Sequence, residues 1–245
     1  MLYLGPDRKS PQAVSTPDWP SHLADLATRA KDPRLQRFYQ AGAISADTPL
    51  AEVPFVALDF ETTGLDSAKH GIISIGLVPF SLQRIRCSEA QHWLINPRKH
   101  LEEESIIVHG ITHSDISNAP DLDSILADLL DALAGRIVVV HYRQIERPFL
   151  DTALKARLGE GIEFPVVDTL ELEARLHRNR QAIFIDKLLR RPHTSIRLAD
   201  SRTRYHLPYY QQHHALTDAL ATAELLQAQV AHRFSPDTPI GELWV

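Results

Sequence analysis

Three short stretches of this chain carry residues whose types and spacing suit binding of a divalent cation and proton transfer beside it. In Asp59-Phe60-Glu61, an extended backbone would place Asp59 and Glu61 on one face and Phe60 on the other, because strand side chains alternate. Two carboxylates a few ångströms apart repel, and an apolar setting makes each charge more costly. A divalent cation removes both costs, and hard oxygen ligands suit Mg²⁺ or Mn²⁺. Taken alone, the pair is a weak signal, since two acids exposed to water at a strand end are common. In His213-His214-Ala215-Leu216-Thr217-Asp218, Asp218 shares a helical stripe with Ala221 and Leu225, so a carboxylate lies on an otherwise apolar face. On an ideal helix His213 would point away from Asp218, so the two converge only if His213 sits in the preceding loop. A histidine placed there can act as a general base near neutral pH, or simply cap the helix. The third stretch runs from His141 to Leu150 and passes from a buried strand into a helix. Glu146 falls near that helix start, where backbone N–H groups favour an anion, with or without a metal.

These residues need elements to position them. Val53 to Leu58 is a continuous apolar run, as in a strand buried on both faces, and Thr62-Thr63-Gly64 ends it. Ile72 to Phe80 and Gln91 to Ile95 read as the next two strands of an antiparallel meander. Leu122, Ile125, Leu126, Leu129, Leu130 and Leu133 mark a helix, and Gly135 follows as its stop. Ile137 to Val140 is a short buried strand. Pro148 suits the first turn of the next helix, which Gly159 terminates. Val166-Val167, a helix from about Thr169, and a last helix from about Ala215 to Ala231 complete the order. Three antiparallel strands followed by alternating helix and strand predict an α/β domain with a mixed sheet. Asp66 reads as a turn residue, and Asp168 as a strand-to-helix cap.

Residues 1–52 differ in character, with six prolines and a short helical pattern through Leu23, Leu26, Ala27 and Ala30. They read as a helical N-terminal appendage to a main domain over 53–235, with 236–245 as a C-terminal tail. No apolar run approaches the roughly 20 residues that span a bilayer, and the N-terminus lacks the pattern of a secretory signal. The single cysteine, Cys87, excludes an internal disulfide and a multi-cysteine zinc site. The expectation is a cytoplasmic protein with no membrane partner. A net charge of −5 is not that of a general duplex-DNA binder. Arg175 to Arg204, however, holds nine Lys/Arg against two Asp/Glu. That segment reads as either a face that meets an anion or a solvated helix and loop.

Asp59-Phe60-Glu61-Thr62-Thr63-Gly64-Leu65-Asp66 resembles the first motif of the DEDDh 3′–5′ exonucleases, the group that includes the proofreading epsilon subunit of bacterial DNA polymerase III. His213 to Ala219 resembles their third motif, in which a histidine precedes the last aspartate by five. The segment around Glu146 resembles the second, and Val108 to Thr112 and Val167 to Thr169 resemble connecting segments. The similarity covers about Val53 to Arg233. One departure stands out: the family's second motif usually carries aspartate within a His-Asn-x-x-Phe-Asp pattern. Here Glu146 takes that place, with Tyr142 and Ile145 at other positions.

The resemblance implies a ribonuclease H-like fold and two-metal hydrolysis of a phosphodiester bond at the 3′ end of a single strand of DNA, or of RNA in other members. It implies that Asp59 bridges two Mg²⁺ or Mn²⁺ ions. Glu61 and Asp218 complete one site, Glu146 holds the second ion, and His213 accepts the proton of the attacking water. Backbone around Thr62, Thr63 and Gly64 would contact the terminal nucleotide, and Leu65 would pack on its base. The product would be a nucleoside 5′-monophosphate, and a replication or repair protein is an expected partner. Two other classes fit parts of the sequence: a non-catalytic interaction module with a vestigial site, and a zinc hydrolase built on His109 and His113. The carboxylate-dominated set disfavours the latter.

Overall fold

The computed structural model describes residues 16–97, 110–177 and 194–245. His109 and most of the basic stretch between Arg175 and Arg204 lie outside them. Five strands form one sheet: β1 (Phe55–Thr62), β2 (Ile72–Phe80), β3 (Gln91–Leu94), β4 (Ile137–Val140) and β5 (Val166–Asp168), in the order β3-β2-β1-β4-β5. β1 pairs antiparallel with β2, and β2 with β3, while β4 runs parallel to both β1 and β5. This is the mixed sheet that the element order predicts. β1 and β4 are central strands buried almost throughout, which accounts for their unbroken apolar runs. β1 begins two residues later than the apolar run and extends through the acidic motif to Thr62.

The helices, numbered through the described residues, are α1 (Trp19–Arg29), α2 (Pro33–Gln40), α3 (His113–Ser117), α4 (Leu122–Leu133), α5 (Arg143–Leu158), α6 (Thr169–His177), α7 (Leu198–Arg204) and α8 (Ala215–Arg233). α8 lies across β1, β2 and β4 and buries Ala219, Ala223, Leu226 and Val230 in the main core. α5 starts at Arg143, so Pro148 is its sixth residue rather than part of its first turn. The proline removes one backbone donor, the partner of the Gln144 carbonyl, and Gln144 is exposed, so water can replace that bond. Gly159 ends α5 in the left-handed conformation (φ +75°), which glycine adopts without steric penalty.

α1 and α2 pack on each other, and α2 packs on α4. Trp19, Leu23, Leu35, Phe38 and Tyr39 join the same core as the sheet. The Glu160 carboxylate accepts the backbone N–H of Lys31 (3.0 Å) and Asp32 (2.5 Å), pinning the link between the two helices. At the other end, the Val245 N–H donates to the Val166 carbonyl at 2.9 Å, so the chain's last residues lie along β5.

Candidate active site

β1 presents Asp59 and Glu61 on one face of the sheet, and the N-terminal turn of α8 brings Asp218 to them. One oxygen from each of the three carboxylates lies within 4.8 Å of the others. The approach depends on Gly76, the β2 residue directly opposite Asp59. A Cβ built there would stand 2.2 Å from the Ala215 carbonyl carbon and 2.3 Å from the Leu216 nitrogen. Only a residue without a side chain lets the start of α8 touch the sheet at that point. The register of β1 against β2 slips between Glu61 and Thr62, which bends the strand out of the ladder where the acidic motif ends.

Glu146 is buried (3% exposed), and its Oε2 has no hydrogen-bond partner among the described residues. It stands outside the three-carboxylate set but near enough for its charge to act on Asp59. Burial pushes the Asp59 carboxyl well above its ordinary range, and the charges of Glu146, Glu61 and Asp218 push it further. Burial also raises Glu146 strongly, with the charge of Asp168 adding to it. Asp218 is raised by burial and by Glu61, against the lowering effect of a backbone hydrogen bond from His213. Gathering negative charge in this way is costly without a cation. An unpartnered buried oxygen, a hard carboxylate donor set and carboxyls with raised proton affinity together fit one or more divalent ions.

His213 lies in the loop before α8, as its spacing from Asp218 requires. Its backbone is left-handed (φ +68°), and its N–H donates to Asp218 Oδ2 at 2.7 Å. The side chain of His214, not that of His213, caps α8 by accepting the Thr217 N–H at 3.4 Å. The residue His213 is exposed, which leaves it accessible to a molecule bound at the carboxylates.

Thr62, Thr63, Gly64 and Leu65 form the start of a closed loop. The Thr63 N–H donates to the Gly71 carbonyl (3.0 Å), the Gly71 N–H donates to Thr63 Oγ1 (3.0 Å), and Thr62 Oγ1 donates to the Gly64 carbonyl (2.7 Å). Asp66 is the turn residue the sequence predicts, accepting from Ala68, Lys69 and His70. Leu65 projects into solvent at 57% exposure.

Asp168 caps α6 through Leu170 and Glu171, and it also accepts the N–H of Tyr142 and of Arg143, both at 3.1 Å. One buried carboxylate thus ties the starts of α5 and α6 together and fixes the turn that delivers Glu146. Tyr142 is held there at φ +105°, a conformation a bulky residue adopts only when its surroundings impose it.

Some features of the site left no readable trace. The ring of His92 on β3 packs 4.9 Å from that of His214, and Ser74 Oγ lies 2.8 Å from His92 Nε2. Ser74 sits opposite Glu61 in the β1–β2 register, so this cluster exists only once three elements are assembled. Gly76 could have been found: a glycine inside an apolar strand marks a close backbone approach. The described arginines of the basic stretch are largely tied to the protein itself. Arg202 is buried and bonds Glu224 at 2.7 Å, Arg204 bonds Glu173 at 2.6 Å, and Arg175 donates to the Glu242 carbonyl at 2.9 Å.

A family model described as exonuclease (RNase T) matches residues 56–226, which hold β1 through most of α8. The chain belongs to this exonuclease family. It is 31% identical over 182 residues to the PolC-type DNA polymerase III of Thermotoga maritima, covering 74% of this chain but 12% of that protein. It is 28% identical over 180 residues to the DNA polymerase III epsilon subunit of Treponema pallidum, covering 74% of this chain and 78% of that one. The chain therefore spans about an eighth of the PolC-type relative. Among solved structures, the nuclease domain of 3′hExo, a DEDDh family member bound to rAMP, superposes with a TM-score of 0.58 at 13% identity, covering 74% of this chain and 92% of that one. At that identity the likeness establishes the ribonuclease H-like exonuclease fold. No helix among the described residues is long and apolar enough to cross a membrane.

Proposed function

We propose that this chain is a metal-dependent 3′–5′ exonuclease that shortens single-stranded nucleic acid, DNA first among its substrates, and releases nucleoside 5′-monophosphates. The observation that carries this reading is the meeting of Asp59, Glu61 and Asp218 within 4.8 Å, beside a buried Glu146 oxygen that has no hydrogen-bond partner among the described residues. Asp59, Glu61 and Asp218, with Glu146 beside them, would hold two divalent ions, Mg²⁺ or Mn²⁺. Bound there, such ions neutralise charge on the phosphate and lower the pKa of an attacking water.

The chain's own residues do the rest. His213, exposed beside Asp218, takes the proton from the water. The hydrogen bond from the His213 backbone to Asp218 couples the position of the base to that of a ligand, so both move with the start of α8. Thr62, Thr63 and Gly64 present backbone to the terminal nucleotide, and Leu65 offers an exposed apolar surface to its base. A free, unpaired 3′ end suits such a site, because a base must leave its partner to lie on Leu65. In this reading 53–235 is the catalytic domain, with the described residues 16–52 and 236–245 packed on it. The names of the relatives point to a replication or repair partner for this chain.

The test is incubation of the pure protein with 5′-labelled single-stranded DNA, duplex DNA and RNA, each with Mg²⁺, Mn²⁺ or EDTA. A ladder that shortens from the 3′ end of single-stranded DNA, absent in EDTA, is the expected result. Undiminished hydrolysis in EDTA would overturn the metal-dependent reading.

A further inference from the structure

The loop from Tyr205 to His214, between α7 and α8, holds three tyrosines, three histidines, two glutamines and no Asp or Glu. With α7 it walls a small cavity that reaches the site carboxylate Asp218, lined among others by Leu198, Thr203, Pro208, Tyr209 and Gln212. Tyr209 stands at this cavity 80% exposed and makes no hydrogen bond to any described residue. Its neighbours, in contrast, are fixed. Buried Arg202 donates to the Pro208 carbonyl at 2.9 Å and to Glu224 at 2.7 Å. The same guanidinium lies 4.6 Å from the centre of the Tyr210 ring, and the Tyr210 hydroxyl donates to Glu224 at 3.0 Å. The residues on both sides of this solvent-projecting ring are thus held, Pro208 through its carbonyl and Tyr210 through its side chain. The large hydrophobic or aromatic side chains exposed among the described residues are Tyr209 and Leu65. One follows the β1 carboxylates in sequence, and the other shares a cavity with the α8 carboxylate.

We propose that Tyr209 is a stacking platform for the nucleobase next to the terminal one, on a single strand whose last phosphodiester lies at the carboxylates. The inference rests on the exonuclease reading of that site. Every base has a π-face, so a pre-positioned aromatic ring holds a strand of any sequence. The absence of acidic side chains from the loop keeps like charge away from the phosphates. Internal ion pairs consume Arg202 and Arg204, so grip on the strand here comes from stacking rather than from those cations.

Fluorescence anisotropy of a 5′-fluorescein-labelled thymidine octanucleotide, measured in EDTA so that no hydrolysis occurs, tests this directly. Competition by thymidine 5′-monophosphate supplies the comparison ligand, which has no neighbouring base. Tyr209→Ala should weaken octanucleotide binding at least about five-fold, the low end for one base–aromatic stack. Affinity for the mononucleotide should change by less than about two-fold, and Tyr209→Phe should bind like wild type because it keeps the ring. Equal octanucleotide affinity in Tyr209→Ala and wild type would overturn the assignment, as would equal losses for both ligands. Thermal melting identifies any loss that comes from unfolding. If Tyr209 governs octanucleotide binding while the protein hydrolyses no strand with Mn²⁺, the exonuclease reading fails and the stacking platform stands.

Discussion

Gly76→Ala perturbs the active site without touching any of its functional side chains. The added Cβ would lie 2.2 Å from the Ala215 carbonyl carbon, 2.3 Å from its oxygen and 2.3 Å from the Leu216 nitrogen. All three are backbone atoms, so no side chain can rotate away. An ordinary contact needs more than 3 Å, and the start of α8 must therefore retreat from β2 by on the order of 1 Å. Overpacking of this kind costs about 1–3 kcal/mol. For a protein of this size each kcal/mol lowers Tm by about 2–4 °C, so the variant should melt roughly 2–12 °C below wild type and still fold. The same movement carries Asp218 and His213 away from Asp59 and Glu61. A misplacement of about 1 Å can cost about 10²-fold in rate, and turnover on single-stranded DNA should fall by about that factor. Thermal melting and single-turnover hydrolysis at saturating Mn²⁺ measure the two effects. Turnover within about two-fold of wild type in a folded Gly76→Ala protein would refute the claim that α8 docking at Gly76 sets the carboxylate geometry.

Asp59→Asn and Asp218→Asn should each abolish turnover in a folded protein, measured by release of labelled nucleotide. In the metal-free protein these carboxyls have raised pKa values, so the folded state binds more protons than the unfolded one from about pH 4 upward. Stability of that form should fall as pH rises through this window, and Asp59→Asn should raise Tm at neutral pH but not below about pH 4. His213→Ala should lose about 10²–10⁴-fold in turnover, the usual contribution of a general base, with little change in Mn²⁺ affinity by calorimetry. Glu146→Gln should be severely impaired at saturating Mn²⁺ while Glu146→Asp keeps substantial activity, and wild type should prefer Mn²⁺ because Mg²⁺ demands stricter octahedral geometry. Wild-type rates in Glu146→Gln would reduce Glu146 to a helix-start acid.

Much of the site was legible because its logic is local. Strand alternation alone puts Asp59 and Glu61 on one face, and helix geometry alone forces His213 into a loop. Apolar runs gave β2 and β4 their exact bounds, since strands buried on both faces leave no alternation to misread. The rest depends on contacts between distant segments. α2, an eight-residue helix with two arginines and two glutamines, has too little apolar signal to stand out, and its packing on α1 and α4 holds it in place. Arg202 and Arg204 fell within a basic segment read as either an anion-binding face or a solvated helix and loop, because their partners, Glu224 and Glu173, lie 22 and 31 residues away. Pro148 read as a first-turn residue because Asp168, which sets the true start of α5 at Arg143, comes from another strand.

The carboxylate cluster as a metal centre is tested most directly by titrating EDTA-stripped protein with Mn²⁺ in a calorimeter while following nucleotide release in matched samples. Wild type should bind Mn²⁺ and gain activity along the same titration curve, and Asp59→Asn should lose both together. Equal Mn²⁺ binding by Asp59→Asn, or turnover by wild type before any metal is added back, would contradict the account.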